Sequence, residues 1–310
     1  MHTRRSGNAE AFLKHIRSRF VNQIKREKRN NMTEYAKFVI SQISLLTIGM
    51  IFSFILPLVL AIIWIKKKNE DLMTVLIGAA AFFIFVVILG GSIRNIVVSP
   101  LEIGLPDHAV SRFLNERDVL KISVLAVLLG VSGETGRLVA FKTVLKNKKN
   151  RETSISYGIG HAGFEVMFVL GVSFIMSILN IVMYNTGMLS NLVNQVMAQT
   201  PGNSEYGFAN QFFGLSVADI VSIFLDRIFS VIFNIGASIL VFYACRDKRK
   251  FWLFPMAILL HTAMTVITGL SLLFEADVLE WIVSGVGWSL GLLTFCGAYF
   301  LFYKKDPDED

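Results

Sequence analysis

Seven apolar segments of membrane-spanning length dominate this chain of 310 residues, 54% of which are hydrophobic and only 17% charged. As an α-helix, about 20 apolar residues cross the roughly 30 Å hydrocarbon core of a bilayer. A soluble domain of this size could not bury so many apolar runs in one core. The sequence therefore predicts an all-α, polytopic transmembrane helical bundle, with spans near residues 38–65, 72–92, 119–141, 156–183, 216–244, 251–273 and 279–302.

Basic residues are concentrated in alternate connections between these spans, which indicates the orientation of the chain in the membrane. The first connection carries Lys66, Lys67 and Lys68, and those after the third and fifth spans are also basic, whereas 184–215 and 274–278 contain no Lys or Arg. Basic connections stay in the cytoplasm, so we expect a multi-pass cell-membrane protein with a cytoplasmic carboxyl terminus and an external amino terminus. The net charge of +7 then reflects orientation and attraction to the lipid bilayer, and we expect no nucleic-acid partner.

The amino-terminal residues 1–37 disagree with this orientation because they contain ten Lys or Arg residues. One interpretation adds a re-entrant or interfacial piece near residues 100–106. The interpretation we favour starts the native chain at Met32; otherwise 1–37 form a basic arm on the membrane surface. Residues 38–303 are then the transmembrane domain, and 304–310 are an acidic cytoplasmic tail.

Polar and ionisable side chains interrupt four of the predicted spans. A charge at the centre of a membrane helix costs about 2.5–3.5 kcal/mol on insertion scales, so such residues need an explanation. Those that share a span are mostly three, four or seven positions apart and so lie on one helix face. Counted from the basic ends of the spans, several fall roughly 12–18 Å from the same surface. The sequence therefore predicts one shared polar site in the cytoplasmic half of the bilayer, built from Glu134, Arg137, His161, Glu165, Asp226, Arg227, Asn234 and His261.

Hydrolysis is a chemistry that suits such a site. A buried carboxylate can act as general base on water, and His and Asn can stabilise an oxyanion, or His and Glu can bind a metal ion. The sequence lacks HExxH, GxSxG and paired-Asp motifs, so zincin, serine and aspartyl schemes have no signature here. Two alternatives remain open: Glu134 and Arg137 could form an ion pair that only fixes helix packing, or the site could serve a small-solute or proton-coupled transporter.

Several short motifs, in order, resemble those of a known family. Residues 158–165 read GIGHAGFE and resemble the GxGHGGxE signature of the YhfC family of intramembrane proteases, which is distantly related to the CAAX-protease and bacteriocin-processing superfamily. The resemblance covers about residues 38–303. Its weaker elements are Glu134-Thr-Gly-Arg137, which resembles the end of an EETGR-like motif, Asp226-Arg227 ahead of Asn234, and Leu260-His261.

The resemblance implies a CAAX-protease-like helical core and an intramembrane peptidase activity on a membrane peptide or protein substrate. It implies that Glu134 activates water, that Arg137 positions Glu134, and that Asn234 supports the oxyanion. His161 and His261 would bind the oxyanion, water or a metal, with Glu165 orienting them. The cofactor would be a divalent metal such as zinc held by His161, Glu165 and His261, or none.

Three positions depart from the family pattern. Gly133 stands where the family has a second acid, Asn234 where it has His, and Thr265 where an acidic or amide residue is expected. Asn can donate to an oxyanion but is a poor zinc ligand. An intramembrane peptidase is therefore the leading hypothesis. The alternative is a catalytically degenerate member of the same fold that acts in binding, immunity or regulation, and the transporter is the third.

Overall fold

The computed structural model describes residues 3–189, 217–271, 273 and 277–306, and within these ranges the chain contains helices and no strands. The α-helices are α1 Thr3–Lys68, α2 Leu72–Ala81, α3 Gly91–Val97, α4 Ala109–Asn115, α5 Asp118–Lys142, α6 Glu152–Glu165, α7 Val172–Asn185, α8 Val217–Arg246, α9 Leu253–Ser271 and α10 Asp277–Ala298. Segments of π-helix, Phe82–Gly90, Val166–Gly171 and Tyr299–Tyr303, continue α2, α6 and α10, and 3-10 turns lie at Pro100–Ile103 and Lys248–Lys250.

Seven helical stretches in the described ranges are long and apolar enough to span a membrane, which confirms the predicted fold class and number of spans. Large apolar side chains are exposed on their outer surfaces, as in Ile63, Val286 and Leu293, while charged groups such as Glu134 are buried. This is the arrangement expected of helices that face lipid. The seven spans run Ala36–Lys68, Leu72–Val97, Asp118–Lys142, Glu152–Asn185, Ala218–Arg246, Lys248–Ser271 and Val278–Tyr303.

The connection between the second and third spans contains only short helical pieces. The 3-10 turn Pro100–Ile103 and helix α4 expose apolar side chains, including Leu101 and Phe113. Neither piece is long enough to cross a bilayer. The predicted connection 184–215 lies outside the described residues from 190 onward, and so do residues 307–310 of the predicted tail.

The chain divides into two compact units, Met50–Ser173 with Val217–Asp310, and Met1–Gly49 with Phe174–Ser216. In the second of these units, Gly49 leaves room for the ring of Phe174. The first unit holds all of the polar site described below.

Within that first unit the fifth span is the central helix. It packs against the third, fourth, sixth and seventh spans. Of an 18-residue apolar stretch of this helix, 61% is buried, which is more than in any other span that the structure describes. The third span packs on the sixth, and the second span on the fourth. Polar side chains on the third, fourth and sixth spans can therefore meet at the fifth.

Close approach of the second and fourth spans depends on glycine. A Cβ at Gly78 would collide with the carbonyl of Tyr157, and one at Gly160 would collide with the carbonyl of Val75. Small residues allow membrane helices to pack backbone against backbone. These two glycines thereby place α6 and its polar residues against the rest of the bundle.

The second span begins with an N-cap at the connection that follows the first span. The carboxylate of Asp71 accepts a hydrogen bond from the Met73 N–H at 2.9 Å and forms an ion pair with Lys148, whose Nζ is 3.0 Å away. The Met73 bond and the Lys148 ammonium lower the pKa of Asp71. A charged acceptor at this position also favours the helix start through the helix dipole.

Candidate functional site

The centre of the polar site is a carboxylate that is hydrogen bonded to an arginine and a histidine. Glu134 has no exposed surface, and its Oε1 accepts a hydrogen bond from Arg137 Nη1 at 2.5 Å. His261 Nδ1 lies 2.8 Å from the same oxygen. Paired with the Arg137 guanidinium, Glu134 suits the role of acceptor, and a neutral His261 that donates from Nδ1 keeps its Nε2 lone pair for another partner. The third and sixth spans are joined through this pair.

Arg137 extends the network to the fifth span. Its guanidinium is fully buried, and its Nε donates to Ser238 Oγ at 3.1 Å while Nη2 donates to Asn234 Oδ1. The planar fork of arginine can satisfy several acceptors at once, which a lysine ammonium on a flexible stem does less well. All three nitrogens of Arg137 are therefore bound inside the bundle.

Asn234 connects this network to Glu165 on the fourth span. Its Nδ2 donates to Glu165 Oε2 at 2.8 Å and to the Ser230 carbonyl at 3.0 Å. Glu165 Oε1 also accepts from Ser230 Oγ at 2.9 Å and, more loosely, from Arg227 at 3.4 Å. Both hydrogens of the Asn234 amide are thus engaged in this arrangement.

A small polar cavity of about 100 Å³ adjoins these groups. At about 30 Å³ for each water molecule, it has room for a few of them. His261 contributes to its wall and Glu134 does not. The other polar side chains around the cavity are Glu165, Asp226, Arg227, Ser230, Thr265 and Thr268.

Two of the predicted residues stand apart from the hydrogen-bond network. Asp226 lines the cavity but accepts its bond from Trp288 Nε1 of the seventh span at 2.6 Å. His161 is buried, with its ring centroid 5.2 Å from that of Phe82 and 5.9 Å from that of Tyr157. The structure therefore joins Glu134, Arg137, Glu165, Arg227, Asn234 and His261 in one network, and leaves His161 and Asp226 beside it.

Buried polar atoms without a hydrogen-bond partner occur at this site. Among the described residues they include Glu134 Oε2 and His161 Nδ1, and also the Tyr157 hydroxyl. Such atoms are uncommon in folded proteins, and they often mark a position with a catalytic role or one where a water or an ion binds. Glu134 Oε2 and His161 Nδ1 are therefore available to another group, in addition to His261 Nε2.

Two serines of the network, and the tryptophan that binds Asp226 beside it, were not identified from the sequence. Ser230 and Ser238 are four residues before and after Asn234, so with Arg227 they form one continuous stripe on the fifth span. That spacing is visible in the sequence and could have identified both serines. No local pattern marks Trp288, because its partner Asp226 lies on another span.

Comparison with known proteins places the chain in one family. The sequence profile of the YhfC intramembrane metalloprotease family matches residues 52–286. The chain is also 27% identical over 217 residues to the uncharacterized membrane protein YhfC of Bacillus subtilis (strain 168), an alignment that covers 69% of this chain and 79% of that protein. No solved structure matches significantly, so the CAAX-protease-like core implied by the resemblance stays a prediction.

The metal ion that the family description implies does not fit the donors as they are arranged. Among the described residues, no three His, Cys, Asp or Glu side chains come together as ligands. Of the three expected ligands, His261 is hydrogen bonded to Glu134, and Glu165 accepts hydrogen bonds from Asn234 and Ser230. His161 has no hydrogen bond to His261 or to Glu165 among the described contacts. A fixed cation, the Arg137 guanidinium, already binds the central carboxylate. Among the described residues His161, Glu165 and His261 are therefore separate side chains, and a metal held by these three stays a prediction.

Proposed function

The chain belongs to the YhfC intramembrane metalloprotease family, and on that premise we propose that it hydrolyses a peptide bond in a membrane-embedded or membrane-associated substrate. One observation carries the proposal. It is the 2.8 Å contact between His261 Nδ1 and the buried Glu134 carboxylate, next to a polar cavity inside an apolar bundle. A carboxylate that orients a histidine is a recurrent device for moving protons in enzymes.

In the proposed reaction His261 is the base and Glu134 is its orienting partner. His261 lines the cavity and so can meet water there, whereas Glu134 is not part of the cavity wall. As the water oxygen bonds to the substrate carbonyl carbon, its proton passes to His261 Nε2, and Glu134 stabilises the imidazolium that forms. The imidazolium then gives this proton to the amide nitrogen as the C–N bond breaks. The resemblance implied Glu134 as base; the proposal moves that role to His261.

Arg227 is the proposed oxyanion donor. It lines the cavity, and its contact with Glu165 is loose, at 3.4 Å. Both amide hydrogens of Asn234, in contrast, are already engaged in hydrogen bonds. A cation placed where negative charge develops stabilises the transition state strongly in a water-poor site. Asn234 is then a positioning residue, because it holds both Glu165 and Arg137.

His161 stays in the proposed site as a binding group. Its Nδ1 is buried without a partner among the described residues, so it can hydrogen bond to a substrate or water that enters. It lies in the segment of the chain that carries the family-like signature, residues 158–165.

An apolar groove supports a membrane-embedded substrate. The groove has a volume of about 550 Å³, lies between the second, third and sixth spans, and shares Leu129 and Thr265 with the polar cavity. Gly90, Gly91 and Gly269 line it and would leave room for a peptide backbone. A peptide bond could therefore reach His261 from the lipid side of the bundle.

The test is cleavage by the purified protein in liposomes that contain a pool of single-span membrane peptides of mixed sequence. New peptide termini are identified by mass spectrometry. The key variant is His261→Gln, whose amide can still donate to Glu134 but cannot accept a proton at neutral pH. We expect cleavage by the wild type, a loss of at least about 100-fold in H261Q, and no loss in H108Q, a histidine outside the site. Unchanged cleavage by H261Q would refute the assigned role.

A non-catalytic binding role is the second candidate, and one observation favours it. The Oε1 atom of Glu134 is already held by both Arg137 and His261, as in an ion-pair network that only stabilises packing. Gly133, where the family resemblance leads us to expect an acid, leaves the site without a second carboxylate at that turn. Absence of cleavage by the folded wild-type protein across the peptide pool would favour this candidate.

A further inference from the structure

A second polar cavity lies where the third and fifth spans end at the basic connections. It has a volume of about 940 Å³ and is distinct from the cavity at His261, with which it shares no residue. No acidic side chain of the described residues lines it. Six basic side chains do: Lys142, Lys146, Lys148, Lys149, Arg246 and Lys248.

Three of these cations already have partners. Lys148 Nζ is 3.0 Å from Asp71, Arg246 is 2.7 Å from Asp306, and Lys142 Nζ lies over the Phe251 ring at 4.7 Å from its centroid. The others, Lys146, Lys149 and Lys248, have no side-chain hydrogen bond or ion pair with any residue that the structure describes. Three unneutralised cations around one cavity repel each other and attract an anion.

The remainder of the wall is apolar and aromatic. Phe141, Leu145 and Phe242 are buried beneath the cavity, and Phe251 stands at its edge. The neighbouring Trp252 is 56% exposed. Exposed aromatic residues next to basic ones, at the end of membrane spans, are typical of the depth at which lipid head groups lie.

We propose that this cavity binds the phosphate-bearing head group of an anionic phospholipid. The unpaired lysines supply the positive charge for the phosphate, and the phenylalanine wall suits the glycerol and upper acyl carbons of a lipid better than a free hydrated ion. Because the third span carries Glu134 and the fifth carries Asn234, a lipid bound at their common end would hold together the two helices that Arg137 links.

The proposal does not depend on the proposed enzymatic activity, and lipid binding tests it directly. The full chain, purified in a neutral detergent, is titrated with phosphatidylglycerol, with phosphatidylcholine and with inorganic phosphate, and bound species are counted by native mass spectrometry. The test variant is K146Q/K149Q/K248Q. The matched control is K66Q/K67Q/K305Q, which removes three exposed lysines outside the cavity.

We expect phosphatidylglycerol to bind the wild type more tightly than phosphatidylcholine. At about fivefold per lysine near a membrane surface, the test variant should bind it on the order of 100-fold more weakly. The control, and a charge-preserving K146R/K149R/K248R variant, should bind within about threefold of wild type. Equal losses in the test and control variants would show diffuse surface charge and overturn the site. Binding of inorganic phosphate that displaces the lipid at equal concentration would overturn the assignment to a lipid.

Because the lysines are exposed, the test variant should still fold, and its melting temperature in lipid-free detergent checks this. A bound lipid stabilises the folded protein by mass action. Phosphatidylglycerol should therefore raise the melting temperature of the wild type and the control, and not that of the test variant. An equal rise in all three would contradict the proposal independently of the binding measurement.

Discussion

Arg137 occupies a buried environment that matches the several hydrogen-bond donors of a guanidinium group. It has no exposed surface, and its three nitrogens bind Glu134, Asn234 and Ser238 on two spans. A buried ion pair adds little net stability by itself, but breaking one leaves an uncompensated charge. Arg137 is thus a structural requirement as well as a member of the proposed site.

We expect Arg137→Met to lower the free energy of unfolding by about 3–5 kcal/mol, because Glu134 is left buried with its charge unpaired by a cation. Adding Glu134→Gln to this variant should recover part of the loss by removing that charge. The measurement is unfolding in detergent for the two single variants and the double variant. Strictly additive losses would contradict the direct coupling of the two side chains.

His161 and Tyr157 provide a matched pair for separating function from packing. Both are buried on α6, and each has a polar atom without a partner among the described residues. Because a buried unsatisfied group destabilises the fold, His161→Leu and Tyr157→Phe should each leave the melting temperature unchanged or raise it. Only His161→Leu should abolish peptide cleavage in liposomes. Equal cleavage by both variants would remove His161 from the proposed site.

At the scale of the helix, glycine contacts determine how α6 is placed. Gly160 meets the backbone of the second span, and Glu165 lies five residues further along the same helix. Any displacement of α6 would therefore change the distance between Glu165 and Asn234, which is 2.8 Å. The glycine contact and the polar site are linked through one rigid element.

We expect Gly160→Ala to destabilise the protein by about 1–3 kcal/mol, since its methyl group would overlap the Val75 carbonyl. Gly297→Ala is the matched control. A Cβ there meets no atom within 4 Å, so the substitution should be neutral or stabilising by up to about 1 kcal/mol through helix propensity. Thermal unfolding of both variants in one detergent makes the comparison. Similar effects at the two positions would contradict the close contact.

The start of the second span should show a pH-dependent contribution to stability. The pKa of Asp71 is lowered in the folded protein by the Met73 N–H and by Lys148. A lowered carboxyl pKa stabilises the fold above the ordinary value of 3.8, and this stabilisation is lost as the pH falls through the folded-state value. Asp71→Asn should therefore melt below wild type at neutral pH, and the difference should narrow in acid. A difference that is constant with pH would contradict the assigned charge interaction.

At the scale of the whole molecule, the orientation of the seven spans is still a prediction from the basic connections. A fluorescent protein fused after Asp310 should be fluorescent in cells, and alkaline phosphatase fused there should be inactive. Alkaline phosphatase inserted near Leu105, in the connection after the second span, should be active. The opposite pattern would reverse the orientation and place the lysine-lined cavity on the external surface.

The sequence alone determined the number and approximate bounds of the spans, because hydropathy is a local property that a window of about 20 residues contains. It also determined which polar residues share a helix face, as with Arg227 and Asn234, because helical periodicity is local too.

Only the tertiary structure decided the partners. Arg137 binds Asn234 across 97 positions of sequence, and His261 binds Glu134 across 127. Asp226 is hydrogen bonded to Trp288, and His161 packs against Phe82. Both lie beside the network that joins the remaining six predicted residues. Which side chains meet depends on which helices pack together and at what rotation. That is set by contacts such as those at Gly78 and Gly160, and no local sequence pattern contains them.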